Sequence, residues 1–223
     1  MSEGPLSLRV WPGCFDVIIF SMLTMDDITV DPQALGATAD LTALFGNDRP
    51  IELEIGCGKG GFLLRQAQAH PERNYLGIEW ANAFYRFAAD RMARWGVRNV
   101  RLMRCDAKEF VLRRLPPACL LALHVYHPDP WPKRRHHKRR LFSPDFAAAA
   151  VRATARGGRL AVQSDHAEYF CQIQAVVLSR PELVCVNFVD PDFGADQEQL
   201  QTNYEIKYQR EGRPIYRLAV RRV

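Results

Sequence analysis

From about residue 50 onward the chain alternates short apolar runs with helical patterns, and this alternation constrains its fold more than any other feature. Ile51–Ile55 reads as a strand that ends in a glycine cluster, and Gly61 to Gln68 as a helix stopped by Pro71. Tyr75–Ile78 is a second strand. Residues 81–94 carry apolar side chains at Ala81, Phe84, Tyr85, Ala88 and Met92, a helical stripe that Gly96 terminates. Val100–Cys105 is a third strand, followed by a short helix to Leu115. Cys119–Val125 is almost continuously apolar, as suits a central strand buried on both faces. Phe142–Ala155 reads as a helix with Ser143 or Asp145 as its cap. Gly157 and Gly158 are expected to turn the chain into a strand over Arg159–Gln163, and 166–179 to form another helix. Leu183–Val189 and Ile215–Val220 close the chain as strands joined by a polar loop, which predicts an antiparallel edge. Strand and helix alternating at this spacing specify an α/β chain: a Rossmann-like αβα sandwich, mostly parallel, with that antiparallel C-terminal edge.

No repeat and no interdomain linker interrupts the 223 residues, a length that suits one domain with a well-buried core. Residues 1–24 show no clear period and stop just before Met25-Asp26-Asp27, which resembles an ordinary start. They are set apart as an N-terminal extension, native or not, leaving 25–223 as a single domain with its core at about 50–221. No apolar stretch approaches the length of a membrane span, so no membrane is expected among the partners. The six cysteines form no CxxC pair and read as small buried hydrophobes of a reducing, cytoplasmic compartment; no Cys/His grouping has metal-ligand spacing, and no metal is expected.

The polar residues fall where this architecture binds ligands, beyond the carboxyl ends of the strands. Glu54 lies at the end of the first strand, Glu79 after the second, Asp106 after the third, Asp129 after the fourth and Asp165 after the fifth. Any one of them is explicable as a helix cap, Asp106 and Asp165 especially, but five at five successive strand ends exceed what solubility requires. After the fourth strand the chain reads His127-Pro128-Asp129-Pro130-Trp131-Pro132 and then six cations within Lys133–Arg140. Subtracting those six from the net charge of +5 leaves −1, so the basic character is mostly local. A local strip of Lys and Arg binds a polyanion, of which a phosphate backbone is the commonest, although a solvated face has the same composition. The two prolines fix the backbone around the Asp129 carboxylate.

Gly56-Cys57-Gly58-Lys59-Gly60-Gly61 satisfies G-x-G-x-x-G, the dinucleotide fingerprint. Glu54, two residues earlier, argues against that ligand, because a carboxylate there opposes a pyrophosphate and welcomes an ammonium and a sulfonium. Glu79 suits ribose hydroxyls, and Asp106 an adenine amino group. S-adenosylmethionine is therefore favoured over NAD.

The motif Glu54-Ile55-Gly56-Cys57-Gly58-Lys59-Gly60, the pair Ile78-Glu79, Asp106, the block Pro128-Asp129-Pro130-Trp131-Pro132-Lys133 with Arg135-His136-His137-Lys138-Arg139-Arg140, and Thr202-Asn203-Tyr204-Glu205 together resemble the bacterial tRNA (guanine-N7)-methyltransferase family, over about residues 50 to 221. The resemblance implies a class I methyltransferase fold, S-adenosylmethionine as cofactor and a guanine of the tRNA variable loop as target. It places Glu54, Gly56, Gly58, Glu79, Asp106 and Asp129 at the cofactor, with Asp129 also catalytic. It places Lys133, Asp165, Thr202, Asn203, Tyr204 and Glu205 at the substrate nucleotide. Arg135, His136, His137, Lys138, Arg139 and Arg140 fall on the tRNA. Trp131 is expected to pack or support the turn, and Tyr204 to be structural, although either can stack on a base. A methyltransferase of another RNA target, an NAD-dependent oxidoreductase and a non-catalytic RNA-binding protein are the competing readings. A monomer or a homodimer is expected.

Overall fold

The computed structural model describes residues 23–190, 193 and 211–223. Eight strands form one sheet in the order β1-β4-β3-β2-β5-β6-β8-β7. They are β1 (Thr29–Val30), β2 (Ile51–Ile55), β3 (Asn74–Ile78), β4 (Val100–Met103), β5 (Leu120–Tyr126), β6 (Thr154–Ser164), β7 (Leu183–Val186) and β8 (Tyr216–Arg222). The first six positions of that order are joined by parallel pairings. Strand β8 runs antiparallel to both β6 and β7, the expected edge. The helices are α1 (Leu41–Phe45), α2 (Gly61–Ala69), α3 (Asn82–Arg94), α4 (Ala107–Arg113), α5 (Pro144–Ala153) and α6 (Ala167–Leu178).

Side-chain alternation divides the core between the two faces of the sheet. Leu53 and Ile55 of β2, Leu123 and Val125 of β5 and Leu160 and Val162 of β6 point to one face, where Phe110 of α4, Phe146 of α5 and Ile173 of α6 cover them. Tyr75 of β3 and Leu102 of β4 point to the other, beneath Leu63 of α2 and Ala88 and Met92 of α3. Helix α5 begins as its sequence dictates: Pro144 opens it, and the Ser143 hydroxyl accepts from the Phe146 N–H at 3.3 Å.

Three local expectations change. Strand β6 starts directly at Thr154, and Gly157 and Gly158 lie inside it, where its pairing with β5 slips between Leu120 and Ala122. A Cβ on Gly158 would stand 2.8 Å from the Leu121 carbonyl oxygen, so the glycine admits close strand contact instead of making a turn. Helix α3 buries Ala88, Ala89, Met92 and Ala93 while Phe84 is exposed, because the small alanines allow close approach to the glycine loop. Of the described cysteines only Cys57 is buried, and Cys171 and Cys185 are exposed. The N-terminal side also adds structure ahead of residue 50. Ile28, Ala39, Leu41 and Phe45 are buried, and the Ile28 carbonyl accepts from the Leu102 N–H at 2.9 Å. Among the described residues no helix is long and apolar enough to cross a membrane, and no three candidate ligands cluster as a metal site.

Candidate active site

From β2 the sheet winds to β3 and β4 on one side and to β5 and β6 on the other, so the crevice beyond β2 and β5 is the topological switch point. Glu54 stands near the end of β2. Its side chain is buried, 3% exposed, and Oε2 has no hydrogen-bond partner. Burial, reinforced by the neighbouring Glu79 charge and only partly countered by Arg65, pushes its carboxyl up to about 8. A buried anion without a partner costs several kcal/mol by order of magnitude, unless a cation answers it.

The glycine loop above Glu54 is held by β3. The N–H groups of Gly56 and Cys57 both donate to the Ile78 carbonyl, at 2.8 and 3.3 Å. Gly58 N–H donates to Glu79 Oε2 at 2.8 Å, and Ala81 N–H to Glu79 Oε1 at 2.8 Å. Glu79 thus clasps the loop with both oxygens and keeps one further lone pair on each. Gly60 has φ +69°, and a Cβ there would meet Met92 Cε at 2.7 Å, so it seats the loop against α3. The Gly58 N–H that a pyrophosphate needs is already committed to a carboxylate, which weighs against the dinucleotide reading. At the end of β4, the exposed Asp106 caps α4, accepting from Glu109 N–H at 3.0 Å. One of its oxygens is used in that cap.

The Pro128–Pro130 turn follows β5. Asp129 is exposed at its tip, between His127 and Trp131 at φ +52° and +43°. Two large non-glycine residues in the left-handed region are costly, and such strain persists where surrounding contacts impose it. The contacts are visible. His127 N–H donates to the Gln163 carbonyl at 2.7 Å. Trp131 meets the His136 ring edge-on at 5.9 Å and lies 4.9 Å below the Arg139 guanidinium, which supports the packing role.

Arg140 corrects an expectation. Its side chain is 1% exposed, beneath the strip instead of on it. Nε donates to the Pro130 carbonyl at 2.9 Å, the two terminal nitrogens grip Glu168 and Gln172, and the group lies 4.8 Å from the Tyr169 ring centre. It anchors the Asp129 turn to α6, and its burial withdraws it from the surface a phosphate would reach. Lys133, Arg135, Lys138 and Arg139 are exposed and His136 and His137 half-buried; Lys133 caps the 3-10 helix Arg134–Arg139 that carries the others. Asp165, past the end of β6, lies 3.3 Å from Arg213 and 3.7 Å from the His127 ring; His166 takes the cap of α6 in its place. Thr202, Asn203, Tyr204 and Glu205 lie outside the described residues.

One cluster escaped the sequence reading. Glu52, fully buried, accepts from Arg73 at 2.8 Å and lies 2.7 Å from His124 Nε2; His124 Nδ1 lies 2.9 Å from the Tyr126 hydroxyl. Burial pushes the Glu52 carboxyl up, but His124 and Arg73 outweigh it and hold it below its usual value. The signal was present in Ile51-Glu52-Leu53-Glu54-Ile55: a period of two puts both acids on one face, so the face carrying Glu54 continues into a polar seam.

A family model described as putative methyltransferase matches residues 48–218. A tRNA (guanine-N(7)-)-methyltransferase of Geobacter metallireducens is 35% identical over 189 residues, covering 84% of this chain and 89% of that protein. Its namesake in Rhodopirellula baltica is 34% identical, covering 90% and 76%. Among solved structures, TrmN from Thermus thermophilus superimposes with a TM-score of 0.54 at 14% identity, over 82% of this chain and 47% of that one. A geranyl diphosphate methyltransferase solved with GPP and sinefungin gives 0.53 at 16%, over 79% and 73%; these two likenesses concern the fold alone. With the family model spanning the sheet from β2 into β8 and relatives alignable over most of its length, this chain belongs to the tRNA (guanine-N(7)-)-methyltransferase family.

Proposed function

We infer that the crevice beyond β2 and β5 binds S-adenosylmethionine and that its methyl group passes to N7 of a guanine in the tRNA variable loop, giving 7-methylguanosine. The observation that carries this reading is the buried Glu54 carboxyl under the glycine loop, whose Oε2 has no hydrogen-bond partner. A ligand bearing cationic groups relieves it, and a pyrophosphate aggravates it. In this reading Glu54 accepts from the ammonium, Gly56 and Gly58 admit close approach, and the spare lone pairs of Glu79 and Asp106 face the ribose and adenine. Bound S-adenosylmethionine supplies an electrophilic methyl on a sulfonium.

Guanine N7 offers an in-plane lone pair and carries no proton, so no general base is required. The protein's task is alignment and exclusion of water. As N7 is alkylated, positive charge spreads over the purine, and N1–H and N2–H become stronger donors. A carboxylate accepting from that edge binds the transition state better than the ground state. Asp129, on a stiff turn anchored through Arg140, takes this role. Lys133, Asp165 and Thr202 to Glu205 are assigned to the nucleotide, and Arg135 to Arg139 to the phosphates around it.

Incubation with methyl-labelled S-adenosylmethionine and unmodified tRNA, followed by nucleoside analysis, tests the reading. Label in 7-methylguanosine is expected. Label in another nucleoside, or binding of tRNA with no transfer at all, overturns it.

A further inference from the structure

The basic strip follows β5, on one side of the crevice. Helix α3 follows β3, on the other side. Trp80, Phe84, Phe87, Arg91 and Trp95 recur at spacings of four, three, four and four, which aligns them along one face of α3 and its ends. That face points outward: Trp80 is 67% exposed, Trp95 62% and Phe87 42%, with Phe84 also exposed. Cations are laid over the rings. Lys59 Nζ, in the glycine loop, stands 5.3 Å from the Phe87 ring centre, and the Arg91 guanidinium 5.8 Å from it. Arg104 lies 5.8 Å from the Trp80 ring. Arg91 also donates to the Lys59 carbonyl at 3.2 Å, and Arg104 to the Trp80 carbonyl at 3.1 Å, so the cations are positioned. The one acid of α3, Asp90, is taken by Arg94 at 2.7 Å. Among the described residues Lys59, Arg86, Arg91 and Arg104 have no acidic partner within ion-pair distance.

Exposed aromatics in a row with cations call for an occupant. A second copy of the chain fits poorly, because an isologous contact sets the same face against itself and opposes its unpaired cations. A duplex supplies phosphates but hides its base faces. An unpaired RNA segment supplies both an anionic backbone and flat π-faces, which aromatic rings and guanidinium planes receive.

We propose that the outer face of α3 is a second RNA-binding surface, on which unpaired nucleotides neighbouring the target guanine stack. The proposal rests on the reading of tRNA as substrate. The guanine enters the crevice, the 3-10 helix holds phosphates on the β5 side, and α3 holds splayed bases on the β3 side. Such a substrate is gripped on both flanks of the reacting base. The surface would also favour RNAs with an unpaired stretch over fully duplex ones.

The test compares two variants of the full chain. Phe84→Leu with Phe87→Leu keeps apolar bulk and helix propensity but removes the rings; Phe84→Tyr with Phe87→Tyr keeps the rings. The residues directly after Glu79 are left alone, so the cofactor side is untouched. The Leu pair should raise KM for unmodified tRNA about tenfold, the order expected for lost base stacking. It should leave kcat, S-adenosylmethionine affinity by calorimetry and the salt slope of tRNA binding near wild type. The Tyr pair should behave as wild type. A wild-type KM in the Leu pair overturns the proposal, as does an equal loss in the Tyr pair. A shift from dimer to monomer in sedimentation also overturns it, since the face is then a self-association seam. If the Leu pair loses its fold, Phe87→Leu alone repeats the comparison. Absence of tRNA methylation by the wild type would sink the substrate reading itself, whereas an active wild type with an indifferent Leu pair sinks only this surface.

Discussion

Glu54 is the residue on which the cofactor reading turns, and its chemistry is measurable. Burial first, and Glu79 second, raise its carboxyl to about 8, against Arg65. In cofactor-free protein the folded chain therefore holds a proton that the unfolded chain has released above its ordinary value of 4.5. The sign follows: this contribution is fully present below 4.5 and drains as pH rises to about 8. The melting temperature of the cofactor-free protein should fall between those limits, and Glu54→Gln should remove most of the fall. A cationic ligand needs the carboxylate ionised. Binding S-adenosylmethionine at pH 7 should thus release about one proton, read by calorimetry in buffers of different ionisation enthalpy. No release in wild type, or equal release in Glu54→Gln, would show that Glu54 does not face the ligand. Asp129→Asn preserves shape and removes the charge that answers the purine cation. Turnover should fall about 10²–10³-fold with tRNA affinity nearly unchanged, and single-turnover rates check this.

At the scale of the element, the 3-10 helix Arg134–Arg139 and the Asp129 turn divide docking from chemistry. Arg135, Lys138 and Arg139 changed together to Ser should lower the log–log salt slope of tRNA binding by up to about 2–3, roughly one per phosphate contact. Cofactor affinity should survive. An unchanged slope would make the strip only a solvated face. Arg140 belongs to the other half of this division. Its partner Glu168 is more than half exposed, so Glu168→Gln should spare the fold while loosening the clamp on the Pro130 carbonyl. The expected result is turnover lowered by up to about 10²-fold, the order for a catalytic group displaced by an ångström, with the salt slope intact. A changed slope with normal turnover would return Arg140 to the RNA surface.

For the whole molecule, the segment ahead of residue 50 closes the β4 edge of the sheet and covers its end. A chain beginning at Met25 keeps Ile28 and β1 and should melt within a few degrees of the full chain. One beginning at Asp31 loses the buried Ile28 and bares β4. Burial of one such side chain is worth about 1.5–3 kcal/mol, which for a domain of this size lowers the melting temperature by roughly 4–10 °C and exposes an edge prone to pairing. Equal melting of the two truncations, followed by scanning calorimetry, would show that β1 contributes nothing.

By itself the sequence determined whatever depends on local period and residue type. The alternation of strands and helices, the glycine loop and the strand-end acids are short-range patterns, and Ile51–Ile55 and Gly61 onward form the elements they predict. Strand Thr29–Val30 was not legible, because two residues carry no period and are strand only through pairing with β4. The tertiary structure alone decided which polar groups are spent and which are left over. Glu54 and Glu79 look alike in sequence, yet one keeps a buried oxygen without a partner and the other is fastened to two backbone N–H groups. Arg139 and Arg140 are adjacent cations, yet one is exposed and the other is buried against α6. Phe84 fits a helical stripe, yet it faces outward, since the rotation of α3 is set by Ala88 and Met92 against Gly60. Burial and partnership are properties of packing between segments distant in the chain. Residue type and spacing fix what a side chain can do, and only its neighbours in space fix whether it is free to do it.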